Sequence, residues 1–373
     1  MRQPDVSRNV GLDVCRASAI VLVVGGHGVG YLEPLFPNLV DTMKCGAFVG
    51  VELFFVLSGF LIGQILMRYA DGQSPGWLKT FYLRRMFRTL PSYGLFLLLN
   101  ILFAFLAIRP AVPPDVWKYL IFVQNAMAPH PDFFPEAWSL AIEELFYILF
   151  PLCFLGMSRA SGITRKTAIL VTALTVIVGS LAIRGVVAFE ADSWDVDIRK
   201  ISALRLDSLM VGVLFGWLHQ VQSRLLSEKA LVHACLAIFL FCVVYVSMTP
   251  LKAMNESYFS KTLLLTLTSF GCAGLMVACL DLQLPWGLER VVTLIAKSSY
   301  SAYLVNLPVM ILMNQFIVND GAQAVGWFLF FHLATFSVAL VLYWNVEVTC
   351  FRYRERYVPE ARRADTPHVR MAT

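Results

Sequence analysis

Apolar residues in this chain are gathered into about ten separate stretches of roughly 19–22 residues, the length that crosses a bilayer as a helix. Hydrophobic residues make up 58% of the 373 positions and charged residues only 15%, which is unlike a soluble domain. The sequence therefore predicts an all-α fold, a polytopic membrane bundle of about ten transmembrane helices. The predicted spans cover residues 11–31, 46–67, 90–108, 138–157, 167–188, 201–221, 230–248, 262–280, 298–318 and 325–346.

The orientation of the bundle follows from its basic residues. If the N-terminus lies in the cytoplasm, most of the 30 Lys and Arg residues fall on the cytoplasmic side, as the positive-inside rule requires. The acidic loop around Glu190 and Asp195 then lies on the opposite side. We therefore expect both termini in the cytoplasm and the protein in the inner (cytoplasmic) membrane. Residues 1–350 are predicted to form one membrane domain, and residues 351–373 a basic cytoplasmic tail.

Several classes of protein are disfavoured. The eight cysteines are scattered singly without a C-x-x-C pair, so neither a disulfide framework nor a metal site is indicated. The net charge of +5 is modest and indicates no nucleic-acid partner. Arg2 and Arg8 before an apolar segment suggest a signal peptide, but Asp13 and Arg16 enter that segment, so we interpret it as a retained first span. The segments 118–127 and 291–297 are too short to span and are expected at the interface or as re-entrant pieces.

Titratable residues occur within the predicted spans, where each is energetically costly. Counted from the predicted ends, four of them share one layer roughly 6–9 Å below the outer boundary. They are His27, Glu52, Glu143 and Asp207. Any one of them could be only a helix–helix hydrogen bond, and Arg205 with Asp207 is expected to be a structural pair. For His27 with Glu143 we favour chemistry, because a histidine beside a carboxylate can act as a general base.

Two further patterns concern a passage and an anion. Asp13, Arg16 and His27 share one face of the first span, which predicts the wall of an internal passage. Arg85 and Arg88 lie one helical turn apart before the third span. Paired guanidinium groups suit a phosphate-bearing ligand, while ordinary positive-inside anchoring explains the same spacing. Spacing alone leaves both interpretations open.

Several motifs together resemble the acyltransferase-3 family of integral membrane acyltransferases. They occur in the family's order and cover nearly the whole chain. They are GLDVCRASAIVLVVGGH (11–27), GVELFFVLSGFLIG (50–63), FYLRRMFRTLPSY (81–93), AWSLAIEELFYILFPL (137–152), LRLDSLMVGVLFG (204–216), SYSAYLVNLPV (299–309) and YWNVE (343–347).

The resemblance implies transfer of an acyl group, commonly acetyl from acetyl-CoA, to a hydroxyl of a sugar or glycoconjugate. It implies that His27 is essential, that Arg85 and Arg88 serve the acyl-CoA donor, and that Arg16 and Glu143 match other functional positions. We expect His27 and Glu143 to be catalytic and the three arginines to bind the donor. Supporting or substrate-binding roles are expected for Asp13, Glu52, Trp138, Ser139 and Asp207.

The chain departs from the family pattern at two places. Asn306 stands where the ninth-span motif usually has histidine, and the closing E-R-P motif is reduced to Glu347 before Val348. No role is carried over to these positions. The sequence shows no appended soluble esterase-like domain of the kind some relatives carry, so the spans are expected to complete the transfer themselves.

The expected mechanism links the two faces of the membrane. Asp13 and His27 are separated by ~21 Å of helix, a length comparable to an extended pantetheine arm. A cytoplasmic CoA could therefore deliver its thioester to His27, which deprotonates the acceptor while Glu143 balances the imidazolium. A transient acyl-enzyme is the competing route. The main alternative function is a transporter or flippase for a lipid-linked glycan. The acceptor, the acyl chain length and the oligomeric state are left open.

Overall fold

The computed structural model describes residues 9–71, 76–160, 162–317 and 321–358. Within these ranges the protein is a helical bundle without strands. Its ten longest helices are α1 (Val10–Gly28), α2 (Pro37–Asp71), α3 (Trp77–Phe105), α4 (Ala137–Ala160), α5 (Arg165–Val187), α6 (Leu206–Val221), α7 (Lys229–Met248), α8 (Leu263–Cys279), α9 (Trp286–Asn314) and α10 (Ala324–Leu342).

The multi-pass character predicted from the sequence is confirmed. Seven helical stretches in the described part of the chain are long and apolar enough to cross a membrane. They lie in α1 to α5, in α7 and in the stretch that begins with α10. The apolar helices α6 and α8 are shorter, with 16 and 17 residues. The count of ten spans and the cytoplasmic termini remain predictions, and residues 1–8 and 359–373 lie outside the described ranges.

The observed helices extend well beyond some predicted spans. Helix α3 begins at Trp77 rather than at residue 90, because the basic run before its apolar part is itself helical. Arg85 and Arg88 therefore lie inside the helix, roughly 12–16 Å along its axis from the first residue. Helix α9 begins at Trp286 and includes the segment 291–297, which is thus not a separate interfacial piece.

The segment 118–127 is mostly irregular, and its expected position at the interface or as a re-entrant piece remains a prediction. Only Trp117–Leu120 is helical, and Phe122 has a positive φ of 58° at the turn that follows. The Asn125 side chain donates hydrogen bonds to the backbone oxygens of Trp138 (3.0 Å) and Lys200 (2.6 Å). This buried asparagine therefore ties the start of α4 to the short π-helical segment Trp194–Arg199.

Two buried ion pairs connect helices in the core. Arg205 contacts Glu52 of α2 at 2.5 Å, and Arg184 of α5 contacts Asp207 of α6 at 2.8 Å. Hydroxyl groups join both networks: Ser208 donates to Glu52 and Thr266 donates to Asp207. The expected Arg205–Asp207 pair is therefore replaced by two pairs that reach between elements distant in sequence.

Helices α2 and α6 pack in direct backbone contact. A Cβ atom added to Gly59 would lie 1.8 Å from the Leu209 oxygen, and one added to Gly212 would lie 2.2 Å from the Val56 oxygen. Small residues permit this approach, as is usual where membrane helices meet closely. This contact holds α2 in place. Other faces of α2 line two cavities, which are described below.

Candidate active site

Predicted site residues line two cavities in the described part of the bundle. The first, called the arginine cavity, is lined by Arg16 of α1, Arg85 and Arg88 of α3, and Glu143 of α4. The second, called the histidine cavity, is lined by residues that include His27, Trp138, Trp194 and Arg199. The three arginines expected to bind one donor are thus brought together, in a space separate from that of His27.

The arginine cavity holds cations against aromatic and polar walls. The guanidinium carbon of Arg85 lies 5.2 Å from the ring centre of Tyr147, a cation–π contact. Arg16 contacts Asp13 at 3.4 Å, and Asp13 also accepts a hydrogen bond from Thr293. Asp13 is therefore a buried support for Arg16. The arrangement presents positive charge to a cavity, which suits an anionic ligand.

Glu143 belongs to the arginine cavity. Its Oε2 accepts hydrogen bonds from the hydroxyl of Tyr147 (2.7 Å) and of Ser58 (3.2 Å). The expected pairing of Glu143 with His27 is therefore not what the structure has. Depth counted from predicted span ends does not reveal which helices face each other: Glu143 shares its cavity with Arg85 and Arg88, whereas His27 lines the other cavity.

His27 lines the histidine cavity and pairs with Asn306. Its Nδ1 lies 2.6 Å from Oδ1 of Asn306, which comes from α9 and is fully buried. The approach of α2 is close at this level, because a Cβ atom on Gly26 would lie 2.6 Å from the Ala47 nitrogen. Gly26 thus serves packing against α2, whereas Gly28 faces Phe331 of α10, 2.6 Å from an added Cβ atom.

The wall opposite His27 is a basic and aromatic cluster. The guanidinium carbon of Arg199 lies 4.7 Å from the ring centre of Trp138 and 5.6 Å from that of Trp194. Asp195 contacts Arg199 at 2.5 Å and Lys200 at 2.6 Å. Burial alone would raise the pKa of Asp195, but these two cations outweigh it and lower that pKa to about 2. Asp195 is therefore ionised and holds both basic side chains in place.

The two cavities meet at Val51 and Tyr303, which line both of them. The Tyr303 hydroxyl lies 2.6 Å from that of Ser139 and donates to the Glu136 backbone oxygen (3.2 Å). Ser139 lines the arginine cavity, whereas its neighbour Trp138 lines the histidine cavity. The start of the W-S-L motif is thus part of the wall between the two spaces.

The predicted site residues fall into three places. Arg16, Arg85, Arg88, Glu143 and Ser139 line the arginine cavity, and His27 and Trp138 line the histidine cavity. Glu52 and Asp207 instead form buried ion pairs, which are structural contacts.

Sequence reasoning missed Tyr303, Asn306, Tyr147 and Arg199. Tyr303 and Asn306 stood inside the SYSAYLVNLPV motif, and Tyr147 stood four residues after Glu143, one helical turn away. These spacings were available as signals. Arg199 follows an acidic loop that was interpreted only as evidence of orientation, and no signal in the sequence places it beside Trp138.

Comparison with known proteins gives the reaction class. Residues 9–344 match the model of a family described as an acyltransferase domain. O-acetyltransferase OatA of Staphylococcus aureus strain NCTC 8325 / PS 47 is 33% identical over 157 residues, which are 38% of this chain and 24% of that protein. OatA of Staphylococcus aureus strain COL matches to the same extent. The match thus spans about a quarter of the length of these relatives. No solved structure matches the chain.

Proposed function

This chain belongs to the acyltransferase family, and we propose that it moves an acyl group, in the simplest case acetyl, from acyl-CoA to a hydroxyl of a cell-surface or exported carbohydrate or glycoconjugate. The observation that carries the proposal is the pair of adjoining cavities. One presents three arginines and the other presents His27, and they meet at Val51 and Tyr303. A donor and an acceptor can therefore occupy separate spaces that adjoin at one point.

The arginine cavity is the proposed donor site. CoA carries phosphate groups, and Arg85 and Arg88 offer guanidinium groups that form charge-assisted hydrogen bonds with phosphate oxygens. Arg16 adds a third cation from α1 and is held by Asp13. Glu143 is bound by Tyr147 and Ser58, so its proposed role is to keep the walls of this cavity in place.

The histidine cavity is the proposed acceptor site. Trp138 and Trp194 supply aromatic surface, while Arg199 and Lys200 supply hydrogen-bond donors around His27. Carbohydrates combine apolar ring faces with hydroxyl groups, so walls of this mixed kind suit them. The extended pantetheine arm would pass between Val51 and Tyr303 to bring its thioester to this side.

The proposed reaction is a direct transfer. His27 takes the proton of the acceptor hydroxyl, and the oxygen of that hydroxyl attacks the carbonyl carbon of the thioester. The carbon–sulfur bond then breaks, and the imidazolium returns the proton to the CoA thiolate. An acyl ester and CoA thiol leave, and His27 ends neutral as it began.

The test uses purified protein in detergent or liposomes with radiolabelled acetyl-CoA and a panel of candidate glycans. We expect labelled glycan from the wild-type protein, a loss of roughly 10²- to 10⁴-fold in His27→Ala, the range for a lost general base, and full activity in His233→Ala. His233 is the matched control because it lies exposed on α7. Retained activity in His27→Ala would remove His27 from the reaction.

The same experiment separates the competing ideas. A transporter of lipid-linked glycan would give no acylated product from any of these variants. A covalent acyl-enzyme would give labelled protein after incubation with acetyl-CoA alone, together with ping-pong kinetics. Direct transfer predicts sequential kinetics and unlabelled protein.

A further inference from the structure

The contact between His27 and Asn306 indicates which nitrogen of the imidazole ring carries the proton. His27 Nδ1 and Asn306 Oδ1 lie 2.6 Å apart, a short and well-formed hydrogen-bond distance. Asn306 comes from α9, 279 residues further along the chain, and has no exposed surface. The histidine ring is therefore held by a side chain from another helix that cannot exchange its partners for water.

The orientation of the Asn306 amide is fixed by the helix that carries it. Its Nδ2 donates to the backbone oxygens of Tyr303 (2.6 Å) and Ala302 (3.3 Å). Turning the amide by 180° would place Oδ1 against these two carbonyl oxygens, leaving three acceptors together without a proton. The oxygen of the amide therefore faces His27.

An amide oxygen only accepts hydrogen bonds, so the proton in this contact belongs to His27 Nδ1. A neutral imidazole has one N–H, and Nε2 then keeps its lone pair. We propose that Asn306 is a positioning residue that holds His27 as the Nδ1–H tautomer, so that Nε2 is the base offered to the acceptor hydroxyl in the histidine cavity. The assignment of the tautomer follows from the hydrogen bonds alone. Only the statement that Nε2 acts as the base rests on the proposed function.

The choice of asparagine has a chemical meaning at this site. A carboxylate would accept the same hydrogen bond but would add a negative charge and stabilise the imidazolium. The amide orients the ring without that charge. The charged residues that line the cavity are Glu136, Arg199 and Lys200, but within the described residues the ring of His27 pairs with the amide of Asn306 rather than with a carboxylate. The sequence difference from the family pattern thus falls on the residue that sets the proton position.

The tautomer is measured directly by nitrogen NMR on protein labelled with ¹⁵N-histidine in lipid. The signals of His27 are identified as those missing from His27→Ala. We expect a protonated Nδ1 and an unprotonated Nε2 in the wild-type protein, and a mixture of tautomers in Asn306→Ala. A wild-type spectrum with the proton on Nε2 overturns the proposal, whether or not the protein proves to be a transferase.

Kinetics supply the second measurement. We expect Asn306→Ala to lower kcat about 10- to 100-fold with the KM for acyl-CoA unchanged, because the tautomer affects the chemical step only. Asn306→Asp in its protonated form can accept from Nδ1 and donate its one O–H to the α9 backbone, so it should recover most of the rate. Asn314→Ala is the matched control, since Asn314 lies on the same helix and binds the Tyr31 hydroxyl at 2.9 Å.

The outcomes are separable. An Asn306→Ala protein with normal kcat and the NMR signature of the wild type contradicts the positioning role. A correct tautomer in a protein that acylates none of the tested glycans leaves the hydrogen-bond assignment intact and counts against the proposed function. Elution as a single peak in size-exclusion chromatography shows that each variant is folded before it is compared.

Discussion

Buried charges in this protein occur in two kinds of place, and the two differ in what surrounds them. Glu52 with Arg205, and Asp207 with Arg184, face each other across helix contacts, with all four side chains fully buried. Arg85 and Glu143 instead border a cavity, and their neighbours are the Tyr147 ring and hydroxyl groups. A charge matched by another charge holds helices together, whereas a charge that borders empty space is available to a ligand.

Glu136 and Arg109 lie between these extremes. Their closest charged atoms are 3.8 Å apart, and neither oxygen of the Glu136 carboxylate has a hydrogen-bond partner in the described part of the chain. Burial raises the pKa of Glu136 to about 7, with Arg109 opposing the shift. Glu136 is buried almost as deeply as the charges of the other pairs, whereas Arg109 is only partly buried, and the pair is incompletely satisfied.

The largest effect is expected from breaking one of the two fully buried ion pairs. Arg205→Ala leaves the Glu52 carboxylate buried without its cation, which costs about 3–5 kcal/mol of stability. The double variant Glu52→Gln, Arg205→Met removes both charges and should recover most of that loss. Thermal unfolding in detergent measures both, with Lys252→Ala on the exposed surface as control. A loss below about 1 kcal/mol in Arg205→Ala would contradict the structural role.

The pair of Glu136 and Arg109 should make the stability of the protein depend on pH. Because the folded-state pKa of Glu136 is raised, its contribution to stability is complete below the unfolded pKa near ~4.3 and is lost as pH rises through about 7. The difference amounts to at most about 4 kcal/mol. We expect the unfolding temperature of the wild-type protein to fall between about pH 4 and pH 7, the window that these two values set.

Glu136→Gln provides the comparison, since it removes the titration and should flatten this dependence. The exposed Asp132 is the control, and Asp132→Asn should keep the wild-type slope. An unchanged slope in Glu136→Gln would assign the pH dependence to another group and would place Glu136 among the fully satisfied charges.

The smallest change in free energy is expected from substitutions in the arginine cavity, where binding of the donor is affected and stability is not. Arg85→Ala with Arg88→Ala should raise the KM for acyl-CoA roughly 10- to 100-fold, since charge-assisted hydrogen bonds contribute about 1.5–3 kcal/mol. The KM for the acceptor and the unfolding temperature should change little. Steady-state kinetics with each substrate varied in turn provide the measurement.

Arg84→Ala is the matched control for this experiment. Arg84 is the next residue along α3 but binds Glu355 (2.8 Å) and the Val358 backbone oxygen (2.7 Å), away from the cavity. Equal effects of the double variant on both substrates would indicate that Arg85 and Arg88 anchor the helix. The cavity-lining charges would then no longer differ from the paired charges by a role in ligand binding.

Much of the bundle could be predicted from the sequence, because apolar length is a direct requirement of the bilayer. Each predicted span overlaps a helix, and the grouping of Arg16, Arg85 and Arg88 agrees with one cavity. The partners of the buried charges could not be predicted. Glu52 and Asp207 are bonded to residues 153 and 23 positions away, and such pairings depend on helix neighbours that periodicity does not reveal.

The catalytic constellation was predicted only in part for a related reason. Depth counted along one helix locates a residue to within a turn or two, but it does not reveal which neighbouring helices a side chain faces, and Glu143 and His27 line different cavities. Asn306 was set aside because it differs from the family pattern, and only its two contacts with the α9 backbone reveal its orientation.

The junction of the two cavities at Val51 and Tyr303 places a further requirement on the proposed transfer. A route that admitted a thioester through a membrane would also be a route for protons, and a permanently open one would discharge the electrochemical gradient. Tyr303, held by Ser139 and the Glu136 backbone, lies at this junction. If the acyl group crosses the bilayer as proposed, this phenol has to admit the arm without leaving an open proton path.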